Sequence, residues 1–127
     1  LLRNKYLEFI CKNVFIKLAN KENTYFKKLE KNIFEFHIAH NEGNYFCTKN
    51  QLKEIEDNNQ IAIYYCDESG NTEEQFNPNG SIKNIAGVFN KEKNVLGMMP
   101  HPERMIDQSL SGEDGSLFFK NLINNMK

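Results

Sequence analysis

The chain has 127 residues, of which 39% are hydrophobic and 26% are charged, and its formal net charge is −1. This balance gives no electrostatic case for binding nucleic acid, and no apolar run is long enough to span a bilayer. An odd number of widely spaced cysteines, with no signal peptide ahead of the first predicted strand, favours reduced thiols in a cytoplasmic compartment.

The first predicted elements are strands. Residues 5–19 are rich in β-branched and aromatic types and predict one long strand or two short ones. Residues 33–39 alternate between apolar and polar types and predict a second strand, which ends at His40-Asn-Glu-Gly43. A glycine at that point permits a tight turn, so the chain should reverse there.

A short helix and a third strand follow. Thr48-Lys-Asn-Gln51 has the form of a capping box, which opens a helix by satisfying its first backbone N–H groups. Leu52 and Ile55 should share one face of this helix, and Asn58-Asn59 should end it. Residues 60–66 then predict another strand.

The last third of the chain predicts a hairpin and a C-terminal helix. Residues 84–89 and 95–99 form two apolar runs joined by a polar turn, as in a buried hairpin. Residues 111–114 then begin a helix whose spacing turns four apolar side chains toward a core. These are Leu117, Phe118, Leu122 and Met126.

The run Gly97-Met-Met-Pro-His-Pro-Glu-Arg104 carries the strongest chemical signal. Pro100 and Pro102 lack a backbone N–H and push the residues before them into extended conformations, so the segment should not be helical. Side chains at i and i+2 of an extended segment point the same way, so His101 and Glu103 can meet. A carboxylate on one imidazole nitrogen fixes the tautomer and leaves the other nitrogen free to exchange protons with a nucleophile.

A His-Pro-Glu tripeptide also occurs by chance, in about one chain in a hundred of this length. Its position at the end of a predicted buried strand adds weight, because α/β folds keep their chemistry at strand ends. The pair therefore predicts a catalytic base and its orienting partner.

Several blocks in this order resemble the C-terminal part of the glutaminase subunits of phosphoribosylformylglycinamidine synthases, a family of class I, triad-type glutamine amidotransferases. The resemblance covers nearly the whole chain. It is carried by Leu1-Leu-Arg-Asn-Lys5 with Phe9-Ile-Cys11, Ile38-Ala-His-Asn-Glu-Gly43, Tyr65-Cys-Asp67, Asn77-Pro-Asn-Gly-Ser81, Asn84-Ile-Ala-Gly87, residues 97–104, and Gly112-Glu-Asp-Gly115. It implies an α/β fold, the C-terminal part of a flavodoxin-like amidotransferase domain, with a mixed sheet and flanking helices. Residues 1–127 would be one partial domain.

The resemblance also implies the chemistry. In the family a cysteine thiolate attacks the side-chain amide of glutamine, and His101 and Glu103 match the histidine and glutamate that complete the triad. The Gly-x-Cys-x-Gly elbow that holds the nucleophile does not occur in the sequence, so the elbow is expected upstream of Leu1 and this chain is expected to be inactive alone. His40 and Glu42 lie in a segment usually written His-Gly-Glu-Gly, near the bound glutamine or the synthetase interface. The alternative for His40 is a satisfied turn histidine.

Partners follow from the same resemblance. The attack on glutamine releases ammonia, which would pass to a synthetase that amidates formylglycinamide ribonucleotide in purine biosynthesis. The implied partners are the large synthetase subunit, a small bridging subunit and the missing N-terminal part of the same domain. ATP and Mg²⁺ would belong to the synthetase, so this chain would need no cofactor or metal of its own.

Two other hypotheses remain open. The first is a non-catalytic docking or scaffold module derived from an amidotransferase. The second is an unrelated hydrolase that uses His101 with Cys47 or Cys66. None of the three cysteines, Cys11, Cys47 and Cys66, has the glycine flanks of a nucleophile elbow, so we expect them to be small buried hydrophobic side chains. His37, inside the alternating strand, is expected to be structural.

Overall fold

The computed structural model describes residues 1–23 and 25–125. Within these ranges the strands are β1 (Ile10–Leu18), β2 (Ile33–His40), β3 (Ile61–Cys66), β4 (Ile85–Phe89) and β5 (Leu96–Met98). The α-helices are α1 (Lys49–Asp57) and α2 (Asp114–Asn125), and short 3₁₀ turns lie at Glu74–Phe76, Ile82–Asn84 and Pro102–Arg104. The α/β class with flanking helices is confirmed.

The strands form one five-stranded sheet in the order β2-β1-β3-β4-β5. Every neighbouring pair is antiparallel, and Ile10 of β1 stands opposite His40 of β2. Because β1 separates them, β2 and β3 run in the same direction, and α1 lies in the crossover between them. The mixed sheet expected from the resemblance therefore contains only antiparallel pairs within the described ranges.

The sheet curls so that the segment after β5 reaches the outer edge of β2. The backbone N–H of His101 donates to the carbonyl oxygen of His37 at 2.7 Å, as an isolated antiparallel bridge. Curling of this kind follows from the right-handed twist of strands. As a result, the Gly97–Arg104 motif lies beside the hairpin of β1 and β2.

The hydrophobic core lies on the inner face of β1 and β2 and beneath α2. Alternate residues of both strands are buried, as the sequence predicts: Val14, Ile16, Leu18, Phe34, Phe36 and Ile38. The ring of Phe118 packs edge-on against Phe34 and Phe36, with centroid distances of 6.3 and 5.6 Å. These aromatic contacts hold α2 against the sheet.

Helix α2 buries a narrower face than the sequence predicts. Phe118 is buried and Leu122 packs against the core, but Leu117 is 42% exposed, so its predicted core position is wrong. The buried side is set by Gly115, Phe118 and Asn121, and Leu117 lies about 100° around the helix from Phe118. Met126, also expected in the core, lies outside the described residues.

The N-terminal stretch turns before β1 begins. The long strand predicted over residues 5–19 starts only at Ile10, because the backbone N–H of Leu7 donates to the carbonyl oxygen of Asn4 at 2.9 Å. Leu7 takes a left-handed conformation with φ of 56°, which an extended strand does not allow.

Helix α1 begins and ends where the sequence predicts. The Thr48 side chain accepts from the backbone N–H of Gln51, the Gln51 side chain accepts from the Thr48 backbone, and Asn58 caps the other end. Leu52 and Ile55 are partly buried on one face. Neither α-helix of the described ranges has both the length and the apolar character needed to cross a membrane.

Candidate active site

The backbone of the motif changes direction at His101. His101 has φ −106° and ψ 87°, outside the helical region, and Pro102 then opens the 3₁₀ turn Pro102–Arg104. Proline suits the first position of a helical turn, because its fixed φ matches and its missing N–H would have no partner there. The expectation of a fully extended segment is therefore wrong for Glu103, which lies within the turn.

The turn still brings the two side chains into contact. Nδ1 of His101 lies 2.7 Å from Oε1 of Glu103. Burial raises the pKa of Glu103, but hydrogen bonds from its own backbone and from the imidazole, with the nearby charges of His101 and Arg104, lower it below its usual value overall. An ionised carboxylate can only accept, so Nδ1 donates to it, and in the neutral form of the imidazole Nε2 is the nitrogen with the lone pair. Such an imidazole can accept a proton at Nε2.

The pair lies at an open surface. The His101 side chain is 34% exposed and that of Glu103 is 57% exposed. A groove of about 500 Å³ borders them, with Met98, Phe119 and Leu122 among its lining residues. Within the described residues, the imidazole of His101 therefore borders an open groove, and its Nε2 is not enclosed in a pocket.

His40 brings a second imidazole into the same neighbourhood. Its side chain is only 8% exposed, and neither ring nitrogen has a hydrogen-bond partner among the described residues. Burial, as the main cause, lowers the pKa of His40, and the charge of His101 lowers it further. Because its pKa lies below the ordinary histidine value, His40 is neutral at pH 7.

The loop after β2 is shaped to this ring. A Cβ at Gly43 would overlap the imidazole of His40, so position 43 has room only for glycine. Asn41, which stands where the family usually has glycine, does not adopt a positive φ, and the replacement causes no backbone strain. Glu42 points to the surface, with one carboxylate oxygen 3.9 Å from Nε of Arg3.

Asn4 fixes this loop from beneath, a role that sequence reasoning did not identify. Its side chain is 1% exposed. Nδ2 donates to the carbonyl oxygens of Glu8 and His40, both at 2.8 Å, and Oδ1 accepts from the backbone N–H of Gly43 at 3.0 Å. A buried asparagine with both ends paired ties the N-terminal stretch to the end of β2.

Asn79 supports the same loop from the other side. Its Nδ2 donates to the carbonyl oxygen of Gly43 at 2.8 Å and contacts the hydroxyl of Tyr65 at 3.2 Å. The hydroxyl of Ser81 also donates to that carbonyl oxygen, at 3.2 Å. The Asn77-Pro-Asn-Gly-Ser81 block therefore has a positioning role beneath the loop that carries His40.

The first turn of helix α2 is hydrogen-bonded to the segment that follows the Gly97–Arg104 motif. The backbone N–H of Gly115 donates to the carbonyl oxygen of Met105 at 2.8 Å. The Asp114 carboxylate accepts from the backbone N–H of Glu35 at 2.7 Å and pairs with Lys31 at 2.6 Å. A carboxylate in the first turn also complements the helix dipole.

The cysteines divide into two environments. Cys47 and Cys66 are buried, as expected. Burial raises the pKa of the Cys47 thiol, and burial and Asp67 raise that of Cys66 to about 11. Both thiols stay protonated at neutral pH, which argues against the hydrolase hypothesis. Cys11 is exposed rather than buried, so its expected core position is wrong.

Comparison with known proteins identifies the family. A model described as the CobB/CobQ-like glutamine amidotransferase domain matches residues 1–113. A curated relative named phosphoribosylformylglycinamidine synthase subunit PurQ, from Pelagibacter ubique (strain HTCC1062), is 77% identical over 127 residues, covering all of this chain and 56% of the relative. The protein of the same name from Aquifex aeolicus (strain VF5) is 44% identical over 124 residues, covering 97% of this chain and 55% of the relative.

A solved structure is also similar to this chain. It is described as the structure of PurLQS from Thermotoga maritima, and it matches with a TM-score of 0.77 and 32% identity over all of this chain and 52% of that chain. The chain spans about half the length of the curated relatives it matches.

Proposed function

The chain belongs to the CobB/CobQ-like glutamine amidotransferase family, and on this basis we propose that it carries the histidine and the glutamate of a glutaminase triad. The whole protein would be the glutaminase component of phosphoribosylformylglycinamidine synthase in purine biosynthesis. It would hydrolyse glutamine and supply ammonia for the ATP-dependent amidation of formylglycinamide ribonucleotide. The observation that carries this proposal is the 2.7 Å contact between His101 and Glu103.

In this mechanism the role of the chain is proton transfer by His101. A cysteine from the part of the protein preceding this chain would lose its thiol proton to Nε2 of His101 and attack the glutamine amide carbon. The imidazolium would then give the proton to the departing ammonia as the C–N bond breaks and a thioester remains. Water would cleave the thioester and release glutamate. Glu103 stabilises the transient imidazolium and holds it in orientation.

His40 and Glu42 would act beside the pair. A buried neutral imidazole with unpaired nitrogens suits hydrogen bonding to a group that arrives with the substrate or with the rest of the domain. Glu42 is exposed and only loosely paired with Arg3, which suits contact with a partner surface. We therefore assign His40 to substrate binding and Glu42 to the interface.

The proposed partners are the large synthetase subunit, a small bridging subunit and the N-terminal part of the same domain. The relatives support an assembly with other subunits, because each of them is named as a subunit of phosphoribosylformylglycinamidine synthase. ATP and Mg²⁺ would bind the synthetase, and the chain itself would need no cofactor. Unpaired thiols at Cys11, Cys47 and Cys66 support a cytoplasmic location.

The test is an assay of the whole subunit assembled with its synthetase partners. Glutamate release from glutamine is measured for the unaltered protein and for His101→Asn, Glu103→Gln and Lys12→Ala. We expect His101→Asn to lower kcat by about 10³-fold or more and Glu103→Gln by a smaller factor, since the histidine moves the proton and the glutamate orients it. Lys12→Ala, an exposed change on β1, should leave the rate unaltered.

Undiminished glutamine hydrolysis in His101→Asn would overturn the proposal. If the coding sequence upstream of Leu1 holds no in-frame Gly-x-Cys-x-Gly elbow, the docking module becomes the better hypothesis. In that case His101→Asn should leave the assembly of the subunits intact.

A further inference from the structure

Three side chains on the outer face of the β1–β2 hairpin, Cys11, Asn13 and His37, form a thiol-containing cluster that is distinct from the His101–Glu103 pair. Asn13 and His37 stand opposite each other in the register of the two strands, and Cys11 lies two residues before Asn13 on the same face. Sγ of Cys11 is 3.4 Å from Nε2 of His37, and Nδ1 of His37 is 2.9 Å from Oδ1 of Asn13.

The hydrogen bonds fix which atoms donate. Nδ2 of Asn13 donates to Oε1 of Glu35 at 3.1 Å, so Oδ1 of Asn13 is the atom that faces the imidazole. Because Oδ1 can only accept, Nδ1 of His37 donates to it, and in the neutral form of the imidazole Nε2 has the lone pair. The thiol of Cys11 then donates to Nε2. A thiol, an imidazole and an amide in this order match the nucleophile, base and orienting group of Cys-His-Asn sites.

We propose that Cys11, His37 and Asn13 form a reactive-thiol site that undergoes thiol–disulfide exchange with small organic disulfides. Cys11 is exposed and lies against a base. Cys47 and Cys66 are buried and have no such partner among the described residues. The hairpin therefore makes one of the three cysteines selectively reactive.

The exchange balances without any further reagent. Nε2 of His37 takes the thiol proton, and the Cys11 thiolate attacks one sulfur of the disulfide. A new S–S bond forms to Cys11 as the original S–S bond breaks. The released thiolate takes the proton from the His37 imidazolium and leaves as a thiol.

Several charged groups face the cluster. Glu35 and Lys17 lie on the same face of β2 and β1. His101 and Glu103 lie across the outer edge of β2, where His101 bridges the backbone of His37. Since these groups also change charge with pH, the test compares variants at the same pH.

The test uses dithiodipyridine, a small neutral disulfide, on the full chain, with peptide mass mapping to assign the modified cysteine. At about pH 6 we expect Cys11 to react about tenfold faster in the unaltered chain than in His37→Gln. The difference should shrink toward about pH 9.5, where hydroxide ionises the thiol without help from the imidazole. Asn13→Ala should give an intermediate rate. Lys12→Ala, on the opposite face of β1, should match the unaltered chain.

Equal Cys11 rates at about pH 6 in the unaltered chain and in a folded His37→Gln variant would overturn the proposal. So would faster modification of Cys47 or Cys66 than of Cys11 in the native state. Circular dichroism of each variant establishes that it is folded, and Asn13→Ala tests the site independently if His37→Gln does not fold. Glutaminase activity is not a readout here, so the result is independent of the proposed function.

Discussion

Gly115 lies directly against the carbonyl oxygen of Pro102, so closely that a Cβ at position 115 would overlap it. The first turn of α2 therefore packs backbone to backbone on the 3₁₀ turn that carries Glu103. The hydrogen bond from the Gly115 N–H to Met105 reinforces this contact at 2.8 Å. The position of the helix thus determines where the carboxylate stands relative to His101.

We predict that Gly115→Ala destabilises the chain by about 1–3 kcal/mol, because the new methyl group must push α2 away from the motif. Thermal and urea unfolding measure the loss. The matched control is Gly97→Ala, where the nearest atom to an added Cβ is the carbonyl oxygen of Val88 at 3.9 Å. Equal stability of the two variants would contradict the close contact at Gly115.

The lowered pKa of Glu103 predicts a pH effect of definite sign. The pKa of Glu103 is lower in the folded chain than in the unfolded chain, so the ionised carboxylate stabilises the fold. This stabilisation is fully present at pH values above the ordinary glutamate pKa, and it is lost as the pH falls through the lowered pKa of the folded chain. The effect is small because the side chain is largely exposed. Carboxyl NMR should give a higher pKa for Glu103 in His101→Ala than in the unaltered chain. An unchanged value would show that the imidazole does not stabilise the carboxylate.

Asn4→Ala should cost about 2–4 kcal/mol, because it removes hydrogen bonds to His40 and Gly43 and leaves buried backbone groups without partners. Urea unfolding measures the change. Asn124→Ala, an exposed position in α2, is the control and should alter stability by less than about 0.5 kcal/mol. A loss at Asn4 no larger than at Asn124 would mean that the loop does not depend on Asn4.

The N-terminal stretch should drive self-association, because several apolar side chains within nine residues are exposed there: Leu1, Leu2, Tyr6, Leu7 and Phe9. Leu7→Asn should weaken it without loss of stability, since asparagine tolerates the left-handed backbone at this position. Sedimentation velocity over a concentration series measures the association. Leu110→Asn, at a residue 83% exposed elsewhere in the chain, is the control. A concentration-independent monomer would contradict the prediction.

Much of the fold follows from local patterns. Alternation predicts β2, the capping box predicts α1, and the paired apolar runs predict the hairpin of β4 and β5. These features depend on residues close together in the sequence, where periodicity and capping chemistry act.

The unpredicted features depend on contacts between distant segments. Asn4 is buried only because the loop after β2 folds over it, and nothing in its own neighbourhood indicates this. The proximity of Cys11 to His37 depends on strand register, which composition does not reveal. The exposure of Leu117 depends on which side of α2 meets the sheet. The candidate site was predictable only in part. Its His-Pro-Glu motif consists of adjacent residues and is visible in the sequence, whereas the residues that support it come from distant segments.

The bridge between His101 and His37 has a consequence for folding kinetics. It joins segments far apart in the sequence, and contacts of that kind form late because a long loop must close first. The hairpin of β1 and β2 closes a much shorter loop, so we expect it to pair before the bridge to its outer edge forms. The candidate base therefore reaches its final position near the end of folding, and hydrogen exchange during refolding should protect the His101 amide after those of β1.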